Sequence, residues 1–214
     1  MIAAEGKIDT LINNAGAGFI RTTEQATEAE IKWVMELNFM GVVRCTKAVM
    51  PHMREARRGH IVNISSVGGL VGQPFNEIYC AAKFAVEGYT ESMASYLEEG
   101  FGIKFSVIEP GGISTEFSKR VMAKVAATGG VLQDAYLPLL KRYMGRAQSR
   151  SGADQASIYQ TPEQVAEIVA RCIDSENPPI RLRTSAWGED FCKFKTSADA
   201  DGKLQQAVVV SQML

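Results

Sequence analysis

The chain has 214 residues, 46% of them hydrophobic and 22% charged, a composition typical of a globular protein with one well-buried core. Its formal net charge of −1 excludes a strongly basic surface, so we expect no nucleic acid partner. The sequence contains neither an apolar run of membrane-spanning length nor the hydrophobic stretch of a signal peptide. The four cysteines form no C-x-x-C pair and the two histidines lack metal-ligand spacing. We therefore expect reduced thiols, a cytoplasmic protein and no metal site.

The first predicted strand covers residues 7–13 and ends in an Asn-Asn-Ala-Gly turn. The turn has two interpretations. It is either a plain strand end or, with Gly16 and Gly18, the start of a dinucleotide fingerprint, which Arg21 then breaks because it occupies the place of the last glycine.

A long helix is predicted next. Thr27 and Glu30 form a capping box at its start, and its apolar stripe continues to Met53. Asn38 and Gly41 are poor residues for a helix interior, so this position predicts a kink or a π-bulge.

The central segment runs from Ile61 to Lys83. A buried strand ends in Ser65 and Ser66, a glycine-rich loop follows, and a helix then presents Tyr79 and Lys83 four residues apart on one face. An ammonium beside a phenol lowers its pKa from roughly 10, and a serine hydroxyl at the strand end can hold a substrate oxygen next to it. The set predicts general acid/base chemistry on an alcohol or carbonyl, although a lone Tyr-x-x-x-Lys is usually a surface pair.

The remaining elements complete an alternation of strands and helices. A strand at 103–108 is stopped by Pro110 and Gly111, a helix starts at the capping box 161–164, and the last strand is expected at 180–183. In open α/β sheets, ligands bind beyond the carboxyl ends of the strands, where the Asn-Asn-Ala-Gly turn, Ser66 and the Pro-Gly turn lie.

Five motifs occur in the order found in the short-chain dehydrogenase/reductase family, classical type, which the chain resembles strongly from about Gly6 to Thr115. They are Asn13-Asn14-Ala15-Gly16, then Asn38, Ser66, the pair Tyr79 and Lys83, and Pro110-Gly111 with Thr115. The resemblance implies an α/β fold: a Rossmann-like, doubly wound parallel sheet forming a single partial domain over 1–214. It also implies a substrate lid at about 116–159.

The same resemblance implies roles for these residues. Tyr79 would be the acid/base, Lys83 would hold the nicotinamide ribose and lower the Tyr79 pKa, Ser66 would orient the substrate, and Asn38 would complete a water relay. The cofactor, NADP or NAD, would be lined by Asn14, Ala15 and Gly16 on its adenosine side and by Pro110, Gly111, Ile113 and Thr115 near its carboxamide.

The sequence departs from the family at its start, where the first strands and the glycine-rich phosphate turn have no counterpart. We expect that the chain is truncated at its N-terminus. The pyrophosphate of the cofactor then loses its main binding site, and the first strand becomes an edge of the sheet. The residue that distinguishes NAD from NADP belongs to that part, so the choice stays open.

The leading functional hypothesis is an NAD(P)-dependent oxidoreductase that interconverts an alcohol and a carbonyl. The apolar lid, with its paired cations on a solvated face, favours a lipophilic substrate, unless its apolar residues only pack the lid onto the core. The alternatives are a non-catalytic fragment that cannot bind cofactor alone, and a dehydratase or epimerase relative. A homodimer or homotetramer is also possible, through outer helix positions that could equally be intrachain core: Val42, Cys45, Val49, Met53, Met93 and Tyr96.

Overall fold

The computed structural model describes residues 2–148 and 157–213. Its strands are β1 Thr10–Asn13, β2 Gly59–Ile64, β3 Ile103–Glu109, β4 Gly112–Ile113, β5 Tyr159–Gln160 and β6 Arg181–Arg183. Its α-helices are α1 Ile2–Glu5, α2 Glu28–Met35, α3 Gly41–Ala56, α4 Glu77–Phe101, α5 Phe117–Ala127, α6 Leu137–Gln148, α7 Pro162–Asp174, α8 Ala186–Thr196 and α9 Lys203–Met213. A π-helical turn, Glu36–Met40, joins α2 to α3, and a 3₁₀ turn, Val67–Gly69, follows β2.

Four of the strands form one parallel sheet, in the order β1-β2-β3-β6. Pairing is in register along its centre, with Val62 of β2 opposite Ile12 of β1 and Ser106 of β3. Because all strands run the same way, their carboxyl ends, and the loops that follow them, meet at one edge of the sheet.

Helices cover both faces of this sheet, which confirms the predicted doubly wound architecture. On one face Met53 of α3 and Leu97 of α4 pack against Phe105 of β3. On the other face Val169 of α7 packs against Ile108. Strands buried on both faces need near-continuous apolar sequence, as β2 and β3 have.

The predicted start signals of two helices are confirmed. Thr27 accepts a hydrogen bond from the Glu30 amide, while the Glu30 side chain accepts one from the Thr27 amide; Thr161 and Gln164 do the same at α7. The expected disturbance at Asn38 is the π-helical turn.

Several predicted boundaries are wrong. β1 begins at Thr10 rather than residue 7, and β6 at Arg181 rather than residue 180. The predicted lid at about 116–159 contains the two helices α5 and α6, and its residues 149–156 lie outside the described residues. β1 is an edge strand of the described sheet, and Ile12 on it is 46% exposed.

The apolar positions considered for self-association mostly serve the core. Val42, Val49 and Met53 are buried within the chain, whereas Cys45 and Tyr96 are exposed. None of the helices described is both long and apolar enough to cross a membrane.

Candidate active site

The carboxyl edge of the sheet brings the predicted site residues together. The amide of Ser65 donates to the Ile108 carbonyl at 2.7 Å, and the amide of Val67 donates to the Pro110 carbonyl at 2.9 Å. These bonds extend the pairing of β2 and β3 beyond the strands, so Ser66 is held beside the Pro-Gly turn.

Ser66 and Tyr79 face each other across Gly68. The Ser66 Oγ accepts from the Gly68 amide at 3.0 Å and donates a long bond of 3.4 Å to the Pro110 carbonyl. Ser66 Oγ and Tyr79 Cε1 each lie 3.4 Å from the point that a Cβ on Gly68 would occupy. The glycine therefore leaves the serine hydroxyl and the phenol ring room to approach each other.

Burial dominates the electrostatics of Tyr79. It raises the pKa of the phenol to about 12, while the neighbouring Ser66 hydroxyl acts in the opposite direction. The lowered pKa predicted for Tyr79 is therefore not found, and the effect assigned to the Lys83 ammonium stays a prediction. Lys83 Nζ lies 5.9 Å from the centroid of the Tyr79 ring, and it donates its hydrogen bond to the Ile64 carbonyl rather than to the phenol.

Lys83 is buried and ties α4 to the sheet. Its Nζ donates to the Ile64 carbonyl at 2.9 Å, and burial lowers its pKa to about 8. The same Nζ lies 3.5 Å from the point that a Cβ on Gly16 would occupy. Lys83 thus stands between the end of β2 and the loop after β1.

Asn38 is fully buried and anchors that loop. Its Oδ1 accepts from the Ala17 amide at 3.1 Å, and its Nδ2 donates to the carbonyls of Ala17 at 2.9 Å and Val34 at 3.0 Å. A Cβ on Gly16 would lie 2.9 Å from Asn38 Oδ1, so the close approach needs glycine. Asn14, Ala15 and Gly16 themselves are exposed on the loop.

The predicted carboxamide side of the site follows β3. A Cβ on Gly111 would lie 3.0 Å from the Trp187 ring, so Gly111 allows α8 to pack closely there. Ile113 pairs with Gln160 in the short β4–β5 sheet. Thr115 Oγ1 accepts from the Phe117 amide at 3.2 Å, at the start of the lid.

The sequence did not reveal how the lid meets the site. The Phe117 ring contacts Tyr79 edge to face, with centroids 6.3 Å apart. A Cβ on Gly18 would lie 2.8 Å from Phe117 Cε1 and 2.6 Å from Val121 Cγ2. Gly18 therefore serves the packing of α5 rather than a dinucleotide fingerprint.

A cleft of about 530 Å³ opens between α6 and the loop before α4. Its lining is mainly aromatic and aliphatic, with one residue of each charge at its wall: Pro74, Phe75, Glu77, Tyr136, Leu139, Arg142 and Tyr143. The lid cation Arg142 is exposed and lines the wall of this cleft. Tyr79 comes two residues after Glu77 but does not line the cleft.

Across the part of the chain that the structure describes, no three histidine, cysteine or acidic side chains group as a metal site. An open parallel α/β sheet that gathers a serine, a tyrosine and a lysine beyond its central strands places the chain among the Rossmann-like α/β proteins. Residues 1–126 match the sequence profile described as short chain dehydrogenase. The match covers more than half of the chain, which therefore belongs to the short-chain dehydrogenase family.

Two curated relatives are similar over most of this chain. Retinol dehydrogenase 8 of Homo sapiens is 37% identical over 209 residues, covering 94% of this chain and 63% of that protein. The 3-ketodihydrosphingosine reductase of Bacteroides thetaiotaomicron is 38% identical over 184 residues, covering 86% and 65%. The chain thus spans less than two thirds of either relative.

A solved structure confirms the fold. The crystal structure of a short-chain dehydrogenase from Streptomyces avermitilis is similar with a TM-score of 0.72 and 28% identity, covering 100% of this chain and 74% of that one.

Proposed function

We propose that this chain carries the acid/base half of an NAD(P)-dependent oxidoreductase that interconverts an alcohol and a carbonyl. The observation that carries the proposal is the convergence of Ser66, Tyr79 and Lys83, from β2 and α4, at the carboxyl edge of the sheet. A hydroxyl, a phenol and an ammonium in one place suit proton transfer to an oxygen.

The residues present fit the nicotinamide side of the cofactor. The Lys83 ammonium has three N–H donors, and the Ile64 carbonyl accepts one of them, which leaves donors for ribose hydroxyls. Asn14, Ala15 and Gly16 would line the adenosine side, and Pro110, Gly111, Ile113 and Thr115 the carboxamide side. When bound, the nicotinamide supplies the hydride.

Tyr79 would hold and move the proton at its phenol oxygen. With its pKa raised to about 12 the group stays protonated at neutral pH, which suits donation to a carbonyl oxygen. Ser66 would donate to the same substrate oxygen, giving up its long 3.4 Å bond to the Pro110 carbonyl. Asn38 would support this geometry by fixing the loop at Ala17, and its predicted part in a water relay stays a proposal.

A lipophilic substrate is supported by the lid and by the names of the relatives. The cleft beside α6 is lined mainly by apolar and aromatic side chains. The two relatives are named for retinol and for 3-ketodihydrosphingosine, both largely hydrocarbon. The opposing interpretation, that apolar lid residues only pack the lid, holds for Val121, which is buried against Gly18.

The alternative is a non-catalytic fragment that cannot bind cofactor alone. The observation behind it is that this chain covers less than two thirds of the length of either relative. A titration followed by NADPH fluorescence separates the two. The purified chain is measured alone and extended by any in-frame upstream coding sequence. Saturable binding at micromolar cofactor with turnover of a ketone supports the oxidoreductase. Absence of binding in both forms contradicts it.

Other predictions remain proposals of the same kind. These are the single domain with a lid at about 116–159, residence in the cytoplasm, and a homodimer or homotetramer. Since Val42, Val49 and Met53 belong to the core, any contact through α3 and α4 would rely on exposed positions such as Cys45 and Tyr96.

A further inference from the structure

Two acidic side chains lie buried behind Lys83. Glu87 is 5% exposed and Glu109 is 0% exposed. Arg183 Nη1 pairs with Glu109 Oε2 at 2.9 Å. Among the described residues this is the only ion pair that either acid makes. Both oxygens of Glu87, the second oxygen of Glu109 and the Ser65 hydroxyl have no hydrogen-bond partner among the described residues.

Glu87 is pressed against the turn that carries Ser66. A Cβ on Gly69 would lie 2.6 Å from Glu87 Oε1 and 2.5 Å from Ser65 Oγ. The carboxyl group therefore sits directly under the backbone that follows β2, within the framework of the candidate active site.

The charges at this place do not balance if both acids are ionised. An unpaired buried carboxylate costs several kcal/mol, so such a group takes up a proton instead. Burial, and then the neighbouring Glu109, raise the pKa of Glu87 well above its usual range. Arg183 opposes the rise in the pKa of Glu109. The proton thus belongs on Glu87, and a neutral acid can donate to the free oxygen of the Glu109 carboxylate.

The behaviour of Lys83 agrees with a neutral Glu87. The two residues are one helical turn apart on α4, the spacing at which lysine and glutamate ordinarily pair. In the described chain no ion pair joins them, and Lys83 donates to the Ile64 carbonyl instead.

We propose that Glu87 is a positioning residue: as a neutral acid that donates to Glu109, it leaves the Lys83 ammonium directed at Ile64 and the Gly16 loop. The effect of this placement of Lys83 on catalysis rests on the proposed function. The charged and titratable groups around Glu87 come from α4, β3, β6 and α8: Lys83, Glu91, Glu109, Arg181, Arg183 and Cys192. Of these, Arg181 is occupied by Glu91 and Asp199.

The first test is infrared spectroscopy of the cofactor-free protein at neutral pH. We expect a protonated-carboxyl C=O band that moves on labelling with ¹³C-glutamate and is lost in Glu87→Gln. A spectrum of the unsubstituted protein without such a band would overturn the proposal, whether or not the variant folds.

The second test follows the pKa of Lys83 by ¹³C NMR of protein labelled at lysine Cε, with the signal assigned from its loss in Lys83→Arg. Glu87→Gln should leave this pKa unchanged, because it replaces one neutral group with another. Glu109→Gln removes the neighbouring negative charge and leaves Arg183 without its carboxylate partner, so Glu87 should ionise and raise the Lys83 pKa by at least about one pH unit. Adding Glu87→Gln to that variant should remove the rise.

Two results would contradict the proposal: a fall in the Lys83 pKa in Glu87→Gln, or no change in Glu109→Gln. A merely structural role for Glu87 would not produce the predicted rise and its reversal. Since neither readout involves cofactor or turnover, the proposal and the proposed oxidoreductase activity can fail separately.

Discussion

Phe117 of the lid and Gly18 of the loop after β1 are in contact so close that a single methyl group on Gly18 would lie 2.8 Å from Phe117 Cε1. The same ring contacts that of Tyr79 edge to face, with centroids 6.3 Å apart. One aromatic side chain therefore links the lid, the loop and the proposed acid/base residue.

Gly18→Ala should displace α5 from the loop. Carbon atoms cannot approach to 2.6–2.8 Å, so Phe117 and Val121 must move, at a cost of about 1–3 kcal/mol in the free energy of unfolding. Thermal unfolding measures the loss. The matched control is Gly72→Ala, because a Cβ there meets no atom within 4 Å. Equal midpoints for the two variants would show that the contact is not maintained in solution.

His60 should make the protein sensitive to acid. It is buried, its Nε2 lies 3.0 Å from Ser106 Oγ, and the Ser106 hydroxyl donates to the Pro179 carbonyl, so the ring nitrogen is the donor. Burial lowers the pKa of His60 from 6.5 to about 4. Above pH 6.5 neither state binds the proton. Between pH 6.5 and 4 the unfolded state binds it first, so stability falls as the pH falls.

The slope from this group is at most about 1.4 kcal/mol per pH unit. Urea unfolding at pH 7.5, 6 and 5 measures it, and His60→Gln should flatten the dependence. The exposed His52→Gln is the control and should keep the slope of the unsubstituted protein. A slope that is the same in all three proteins would contradict the assignment.

Chain length should govern the choice of substrate if the cleft is lipophilic. Each buried methylene contributes roughly 0.8 kcal/mol to binding, so kcat/KM for straight-chain ketones should rise several-fold per added carbon. The series is assayed on the form of the protein that binds NADPH. A flat series, or a preference for short charged ketones, would refute the lipophilic pocket and would turn attention to Arg142 in the cleft wall.

Features fixed by neighbouring residues were predictable from the sequence. The capping boxes at Thr27 and Thr161 and the π-helical turn at Asn38 depend on residues a few positions apart, and all three are found. The doubly wound sheet followed from the alternation of apolar strands and amphipathic helices. The motif order brought Ser66, Tyr79 and Lys83 to one edge, although their roles stay proposals.

Features fixed by distant residues were not predictable. Gly18 meets Phe117 across 99 positions of sequence, and the approach of the lid decides that contact. The pKa of Tyr79 was expected to be low from its spacing to Lys83, but burial, which spacing does not reveal, raises it to about 12. Glu87 and Glu109 are unremarkable in sequence, and their joint burial becomes visible only when α4 packs on β3.

The most direct test of the central claim is the turnover of Tyr79→Phe. The change removes one hydroxyl and keeps the ring beside Phe117, so affinity for NADPH should be nearly intact while turnover falls by about 10²–10⁴-fold. Tyr96→Phe, which removes an exposed hydroxyl on the same helix, should retain full activity. Near-normal turnover in Tyr79→Phe, measured in the form that binds cofactor, would contradict the assignment of Tyr79 as the acid/base.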